Sequence, residues 1–450
     1  MTTEIESNGK TGKVFLEKEA IESETYKQIK HMVGHEAIQN ARVMPDCHKS
    51  KNCCVGFTSQ LIDKIVPNFV GVDIGCGIIS YPLETDRKLV DWREKKLKLL
   101  CLDINQELHH PQNYSLEDEF LWSNQIIRIF DLANLELVQF CKYYRETHGI
   151  DIRTRIKVFD QSWLDTFLTK IKSNIGELER AIGTLGGGNH FIEFDRSETS
   201  GQEFITVHSG SRIIGKKICD YHQKKIQKQN EVDWSYFDEE VAKFNRTTKD
   251  KAERKAFRDE LREEVKTKNK KNYLDEDNAI EYYIDMIFGQ KFAVVNREVI
   301  LTKVLQRLDL PFDPRLKIES IHNYIDFEDF ILRKGAISAS QGKDCLIALN
   351  MTDGILLCEG KGNEDWNYSS AHGSGREVTR QKAHKNSQAI AKRLAKQLEK
   401  HEVLTVSPLV GIADEAPECY KATDFIKERI TDSVIIKEQL KPFINIKHSE

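Results

Sequence analysis

Residues 70–77, VGVDIGCG, set a carboxylate and a thiol three positions apart, Asp73 and Cys76, in a turn that closes an apolar run. An aspartate in such a run is costly to bury unless a cation meets it, and the flanking glycines let the backbone aim both side chains at one point. Both read as metal ligands. Four histidines share the setting, each entering or following a turn of Gly, Ser or Asn at the end of a strand-like run: His190 in GTLGGGNH, His208 in TVHSGSR, His322 in IHNY and His372 in SSAHGSGR. His31, His109, His110, His148, His384, His401 and His448 lie in polar or helical surroundings and read as ordinary surface or core histidines.

One carboxylate, one thiolate and several imidazoles make a mixed hard and soft donor set, which suits Zn, Mn, Fe or Co better than Mg or Ca. Asp73, Cys76, His190, His208 and His322 exceed what a closed structural site needs, so two ions sharing Cys76, with open positions for catalysis, is the economical arrangement. Glycine-rich turns beside such ions let backbone N–H groups approach phosphate oxygens. GGGN alone is a weak signal. SSAHGSGR is stronger, because it sets His372, an imidazole able to act as nucleophile, beside Arg376 and Arg380, whose guanidiniums can hold phosphate. The chain has neither a GxxxxGKS or GxxxxGKT loop nor the KxDG lysine motif of common nucleotidyl-transferring ligases. A nucleotide carried covalently would therefore travel on histidine.

The elements that must position these groups read as a mixture. Met44 to Ile79 alternates apolar runs with turn residues and reads as strands; 97–176 carries helical periodicity; CLIALNMTDGILLCEG returns to strand character; and a helix rich in Lys, Gln and Ala runs over about 377–399. Between them, about 231–275 is dominated by charge and reads as an exposed helical segment, followed by a long amphipathic helix; together they mark 220–300 as a helical insertion. Without repeats or low-complexity linkers, residues 1–450 read as one composite α+β body, central sheets in a sandwich surrounded by helices. At 39% hydrophobic and 31% charged residues, with a net charge of -4, the chain is a globular one that does not coat nucleic acid by bulk charge, although local basic patches remain open. No signal-peptide core and no membrane-length apolar run is evident, and ten scattered cysteines do not form a disulfide framework, so a cytoplasmic location is expected.

Taken in order, MPDCHKSK, VPNFVGVDIGCG, GTLGGGNHFIE, VHSGSR, IHNY, RKGA, GNEDWNYSSAHGSGR and DEAPECYK make the chain, from about Met44 to Lys447, resemble the RtcB family of RNA ligases. The resemblance implies an enzyme that joins an RNA 3′-phosphate or 2′,3′-cyclic phosphate to a 5′-hydroxyl, in splicing or repair, using GTP and two Mn²⁺ ions. One ion would fall to Asp73, Cys76 and His190, the other to Cys76, His208 and His322. His372 falls on the family's nucleophile, which takes GMP from GTP and passes it to the RNA 3′-phosphate. Guanylate contacts are implied for Asn189, His190, Phe191, Ile192 and Glu193, for His322 and Asn323, for Asn350 and Met351, for His372, Gly373, Ser374 and Gly375, and for Lys447. Glu193 and Lys447 would select guanine, accepting from its amino edge and donating to its carbonyl. Arg212, Lys334, Arg376 and Arg380 are candidates for RNA phosphates.

Two departures concern substrate preference more than chemistry. Where the family has a PGSMG-like turn followed by a serine, this chain has Ala348, Leu349, Asn350, Met351 and Thr352, then Ile355; and the HxGKG pattern is altered to His48, Lys49, Ser50, Lys51 and Asn52. They point to a divergent branch. Which RNA is joined, and whether an archease-type activating protein is needed, stay open. The competing functions are a dinuclear metal phosphoesterase acting on RNA ends and a noncatalytic RNA-binding module, the latter disfavoured by the negative net charge and by a ligand set that binding alone does not need.

Overall fold

Strand segments that are apolar at nearly every position need cover on both faces. In the computed structural model, which describes residues 2–83, 98, 100, 101, 104, 116–230, 234–267 and 271–448, such segments join more polar edge strands in two large sheets. The first runs in the order Thr3–Ser7, Lys10–Val14, Gln39–His48, Val55–Gln60, Ile331–Lys334, Asn323–Asp326. The second runs Ile318–Ile321, Gly77–Pro82, Glu203–Ser209, Phe191–Ser197, Val434–Ile446, Ile355–Gly360, Asp344–Ala348. A separate pair, Ala336–Ser338 with Ser369–Ala371, ends directly before His372. The class is α+β.

Cover comes mainly from one helix, Glu276–Arg307, which is buried around most of its circumference. Its Ile300, Leu301, Val304 and Leu305 pack on Ile79, Phe194, Ile205 and Val207 of the second sheet. Ile280, Met286, Phe288 and Phe292 join the largest core together with Ile129, Phe140, Ile214 and Ile218 from the helices Leu116–His148 and Arg212–Gln229. Each such side chain contributes about 1.5–3 kcal/mol by leaving water, so this helix belongs to the body.

Within 220–300, Glu276–Arg307 is thus packed into the body. Only Trp234–Thr247 and Lys251–Thr267 form a helical pair with an apolar cluster of their own, Phe237, Leu261 and Val265, where Phe244 stacks on Phe257 at 4.0 Å. The run IVPNFV is also not a strand throughout: Pro67, whose fixed φ and missing N–H suit a first helical turn, starts the short helix Pro67–Val70. The expected 377–399 helix is two, Arg380–Lys385 and Ser387–Lys400, separated at Asn386. In the expected 97–176 helical stretch, residues 97, 99, 102–103 and 105–115 lie outside the described residues, as do 231–233 and 268–270 of the charged segment. Among the described residues no helix is long and apolar enough to cross a membrane.

Candidate functional site

Strand register gathers the donors. Gly77 pairs with both Ser209 and Ile321, and His208 pairs with both Ile78 and Phe191, so Cys76, His190 and His322 enter or leave three neighbouring strands at the same end of the sheet, around His208. The Cys76 Sγ lies 3.5 Å from His190 Nε2 and 3.3 Å from His208 Nε2. His208 Nε2 lies 3.3 Å from His322 Nε2, and His190 Nε2 lies 3.0 Å from Asp73 Oδ2. These spacings are what donors bonded to a shared ion at about 2.0–2.3 Å would show.

The imidazoles are oriented from behind. His190 Nδ1 meets the Leu185 carbonyl at 2.9 Å and His208 Nδ1 meets the Asn189 carbonyl at 3.1 Å. A carbonyl can only accept, so each Nδ1 carries the proton and each Nε2 lone pair points inward. Burial pushes the His208 and His322 imidazoles well below their ordinary range, which keeps them neutral and able to ligate. Burial would raise Asp73, but the hydrogen bond and charge of His190 outweigh it and hold the carboxylate low. The Cys76 thiol is pushed far up by burial and then by Asp73. A cation is the partner that would reverse this and make it a thiolate. The donor set fits a metal ion.

Close packing fixes the cradle. A Cβ on Gly210 would stand 2.1 Å from Asp73 Oδ1, so only glycine leaves room for the carboxylate. Arg297, fully buried, donates to the carbonyls of Gly75 at 2.7 Å and Ser209 at 2.9 Å, and Asn296 donates to the Gly210 carbonyl at 3.1 Å. The Glu276–Arg307 helix thus ties together the two turns that carry the donors.

His372 stands across from His322, their ring centroids 4.8 Å apart. Its Nδ1 donates to Asp46 Oδ2 at 2.6 Å, and its backbone N–H reaches the same oxygen at 3.1 Å. That hydrogen bond selects the tautomer with the lone pair on Nε2. Asp46 is fully buried, and its backbone carbonyl would lie 2.1 Å from a Cβ on Gly375, where φ is +72°. The glycine lets the SSAHGSGR turn close over the acid.

Both groups open on one cleft of about 820 Å³. Asp73, Cys76, Asn189, Phe191, Glu193, His208, His322, Asn323, Lys334, Asn350, Met351, His372, Gly373, Ser374, Gly375, Arg376, Arg380 and Lys447 line it. Glu193 Oε1 accepts from Asn445 at 2.6 Å, while Oε2 is buried without a hydrogen-bond partner. Burial pushes Glu193 up to about 7, against the pull of Lys447 and of the Asn445 hydrogen bond. Lys447 lies 5.0 Å over the Phe191 ring and 3.3 Å from Glu415 Oε2.

Several sequence candidates sit differently. Ile192 is fully buried in the core with Ile79 and Val207, because alternation along the strand turns Phe191 and Glu193 to the cleft and Ile192 away. Arg212 packs over Gly186 and donates to Thr184 Oγ1 at 3.3 Å. Arg376 donates to the Asp414 carbonyl at 2.8 Å and pairs with Glu415, and Arg380 meets Asp414 at 3.0 Å and Glu415 at 3.2 Å, so both guanidiniums are paired with carboxylates, Glu415 being shared with Lys447. The Asn350 amide is engaged in its own turn, donating to Asp353 at 2.9 Å and accepting from the Thr352 N–H at 3.0 Å. Ile355 adds an apolar wall.

Sequence reasoning passed over Asp46, Asn296, Arg297, Asp414, Glu415 and Asn445. A signal existed for some: Asn296 and Arg297 are adjacent polar residues inside the apolar run FAVVNREVI, and Asp46 lies in MPDCHKSK.

A family model described as tRNA-splicing ligase RtcB matches residues 28–448. The RNA-splicing ligase RtcB of Escherichia coli K12 is 26% identical, over 90% of this chain and 89% of the relative. The tRNA-splicing ligase RtcB of Methanococcus maripaludis is 23% identical, over 94% and 92%. The RNA-splicing ligase RtcB homolog 1 of Entamoeba histolytica is 22% identical, over 94% and 84%.

Proposed function

The chain belongs to the RtcB family of RNA ligases, and from that premise we propose that it joins RNA 3′-phosphate ends to 5′-hydroxyl ends with GTP as cosubstrate and Mn²⁺ as cofactor. The observation that carries this reading is that the His372–Asp46 pair and the thiol–imidazole cluster face one cleft, His322 contacting both.

His372 Nε2 attacks the α-phosphorus of GTP, a P–N bond forms and pyrophosphate leaves. Asp46 keeps the Nδ1 proton in place and stabilises the charge that develops on the ring. An RNA 3′-phosphate oxygen then displaces the histidine, giving a 3′–5′ diphosphate linkage to guanosine. Attack of the 5′-hydroxyl oxygen on the RNA phosphorus forms the phosphodiester and releases GMP. The capping step matters because a bare phosphate offers no good leaving group. A 2′,3′-cyclic end enters after water opens it to the 3′-phosphate.

Asp73, Cys76 and His190 would hold one ion, and Cys76, His208 and His322 a second. When bound, Mn²⁺ supplies neutralisation of charge on the reacting phosphates. Glu193 Oε2, a buried acceptor without a partner, suits the N–H edge of guanine, and Lys447 its carbonyl oxygen. Asn189, Phe191, Asn323, Met351 and the Gly373 to Gly375 turn line the remaining path of the nucleotide.

Incubation with GTP labelled on its α-phosphate tests the reading. A Mn²⁺-dependent, acid-labile GMP adduct should form on the wild type and be absent from His372→Ala. If no adduct forms, and His372→Ala still hydrolyses a 2′,3′-cyclic phosphate without GTP, the protein is a phosphoesterase.

A further inference from the structure

The helices Arg380–Lys385 and Ser387–Lys400 contain seven Arg or Lys and one acid, Glu399, in a chain whose net charge is -4. Part of that charge is accounted for locally: Arg380 answers Asp414 and Glu415, and Arg393 answers Glu418. Lys400 sits in the last turn, where a cation suits the helix dipole. Lys382, Lys385, Lys392 and Lys396 remain, all exposed, and none forms an ion pair among the described residues.

Their placement is specific. Ile390, Ala391, Leu394 and Leu398 seat the longer helix on the body, next to Ile412, Ala413 and Ala416. Lys392 and Lys396 fall on the opposite face, one turn apart. Like charges at that spacing repel, so the arrangement is not one that helix stability favours. Some exposed lysines elsewhere answer acids on their own helix, as Lys216 does with Asp220 and Lys243 with Glu239 and Glu240, while others, such as Lys224 and Lys228, form no ion pair among the described residues. The start of the two-helix segment is the cleft itself, since Thr379, Arg380 and Gln381 line it. The longer helix alone extends the basic segment over about 21 Å, at 1.5 Å per residue.

We propose that the exposed lysines of these two helices, Lys382 and Lys385 on the first and Lys392 and Lys396 on the second, form the track along which the RNA strand leaves the cleft, held by its phosphates. The inference rests on RNA being the substrate. Inside the cleft, Arg376 and Arg380 are already paired with carboxylates, whereas Lys51 and Lys334 form no ion pair among the described residues, so the four lysines continue outward a positive lining that begins within it. Ammonium groups fit a polyphosphate backbone as point charges and impose no base preference.

The test compares Lys385→Gln/Lys392→Gln/Lys396→Gln with Lys249→Gln/Lys251→Gln/Lys255→Gln, which removes the same charge from exposed lysines interleaved with Asp250 and Glu253 on the Trp234–Thr267 helical pair. Binding of 3′-phosphorylated single-stranded RNA is followed by anisotropy across a salt series, with one RNA of about 4 nucleotides and one of about 16, the range that a single-strand groove accommodates. For the longer RNA the first variant should bind on the order of tenfold or more weakly, with a log Kd against log salt slope shallower by roughly 2, at about 0.7 per lost single-strand phosphate contact. The short RNA and GMP labelling of His372 should be unchanged, as should both RNAs with the second variant. An unaltered slope, or equal losses in the two variants, overturns the track and leaves these lysines to another partner. A wild type that binds RNA along these lysines yet takes no GMP would sink the ligase reading and not the track.

Discussion

The Asp46 carboxylate lies 2.6 Å from Nδ1 of His372 and also accepts the His372 backbone N–H at 3.1 Å, so one buried acid fixes both the ring's tautomer and the turn that carries it. Asp46→Asn keeps the shape and removes the charge and the obligate acceptor. The rate of GMP transfer to His372 should fall by about two orders of magnitude or more, as for other orienting partners of a reactive imidazole. Single-turnover labelling measures it. A rate within threefold of wild type would show that the pair is structural only.

Cys76 is the one donor placed against both His190 and His208. Added Mn²⁺ should raise resistance to urea by about 2.7 kcal/mol at a hundredfold excess over Kd. Cys76→Ser should lose more of that gain than Asp73→Asn or His322→Asn, each of which adjoins one end of the cluster. Equal losses in all three variants would count against a shared ligand.

Gly210→Ala would bring a Cβ to 2.1 Å from Asp73 Oδ1. The carboxylate has to move, although Gly210 contributes no donor. The metal-free protein should unfold within about 1–3 kcal/mol of wild type, the range for overpacking, while bound metal measured after dialysis drops. Retained metal would mean that Asp73 is dispensable for binding.

Glu193 is raised to about 7 from 4.5 by burial, with Lys447 and Asn445 pulling the other way. A raised carboxyl contributes stability below its unfolded value, and this contribution fades as pH climbs through about 7; the ionised acceptor that guanine requires appears over the same window. A guanine nucleotide that cannot react should therefore bind about tenfold more tightly at pH 8 than at pH 6. Glu193→Gln should flatten that profile and weaken selection against adenine. A profile identical in the variant would assign the dependence to another group.

Much of the site was legible because its chemistry is local. Asp73 and Cys76 share one turn, and His190, His208, His322 and His372 each sit beside small residues that permit close approach. Ile192 shows where that reasoning stops: within the strand Phe191–Ser197, alternation turns Phe191 and Glu193 toward the cleft and Ile192 away from it. Within 220–300, charge pattern and packing diverge for a related reason. Charge marks what faces water, and it identified Trp234–Thr247 and Lys251–Thr267, yet Glu276–Arg307 begins in the same stretch and becomes core through contacts made far away in sequence.

By itself, the sequence determined which atoms could ligate, attack or hold phosphate, because those properties belong to residue type and to the turns around it. Only the tertiary structure decided which of them meet. Asp46 reaches His372 across 326 residues, and Asn445 reaches Glu193 across 252. Arg376, a phosphate candidate by type, is paired with Glu415. Partnership in a buried site depends on strand register and helix packing, and the electrostatic balance of each group follows from its partner rather than from its own identity.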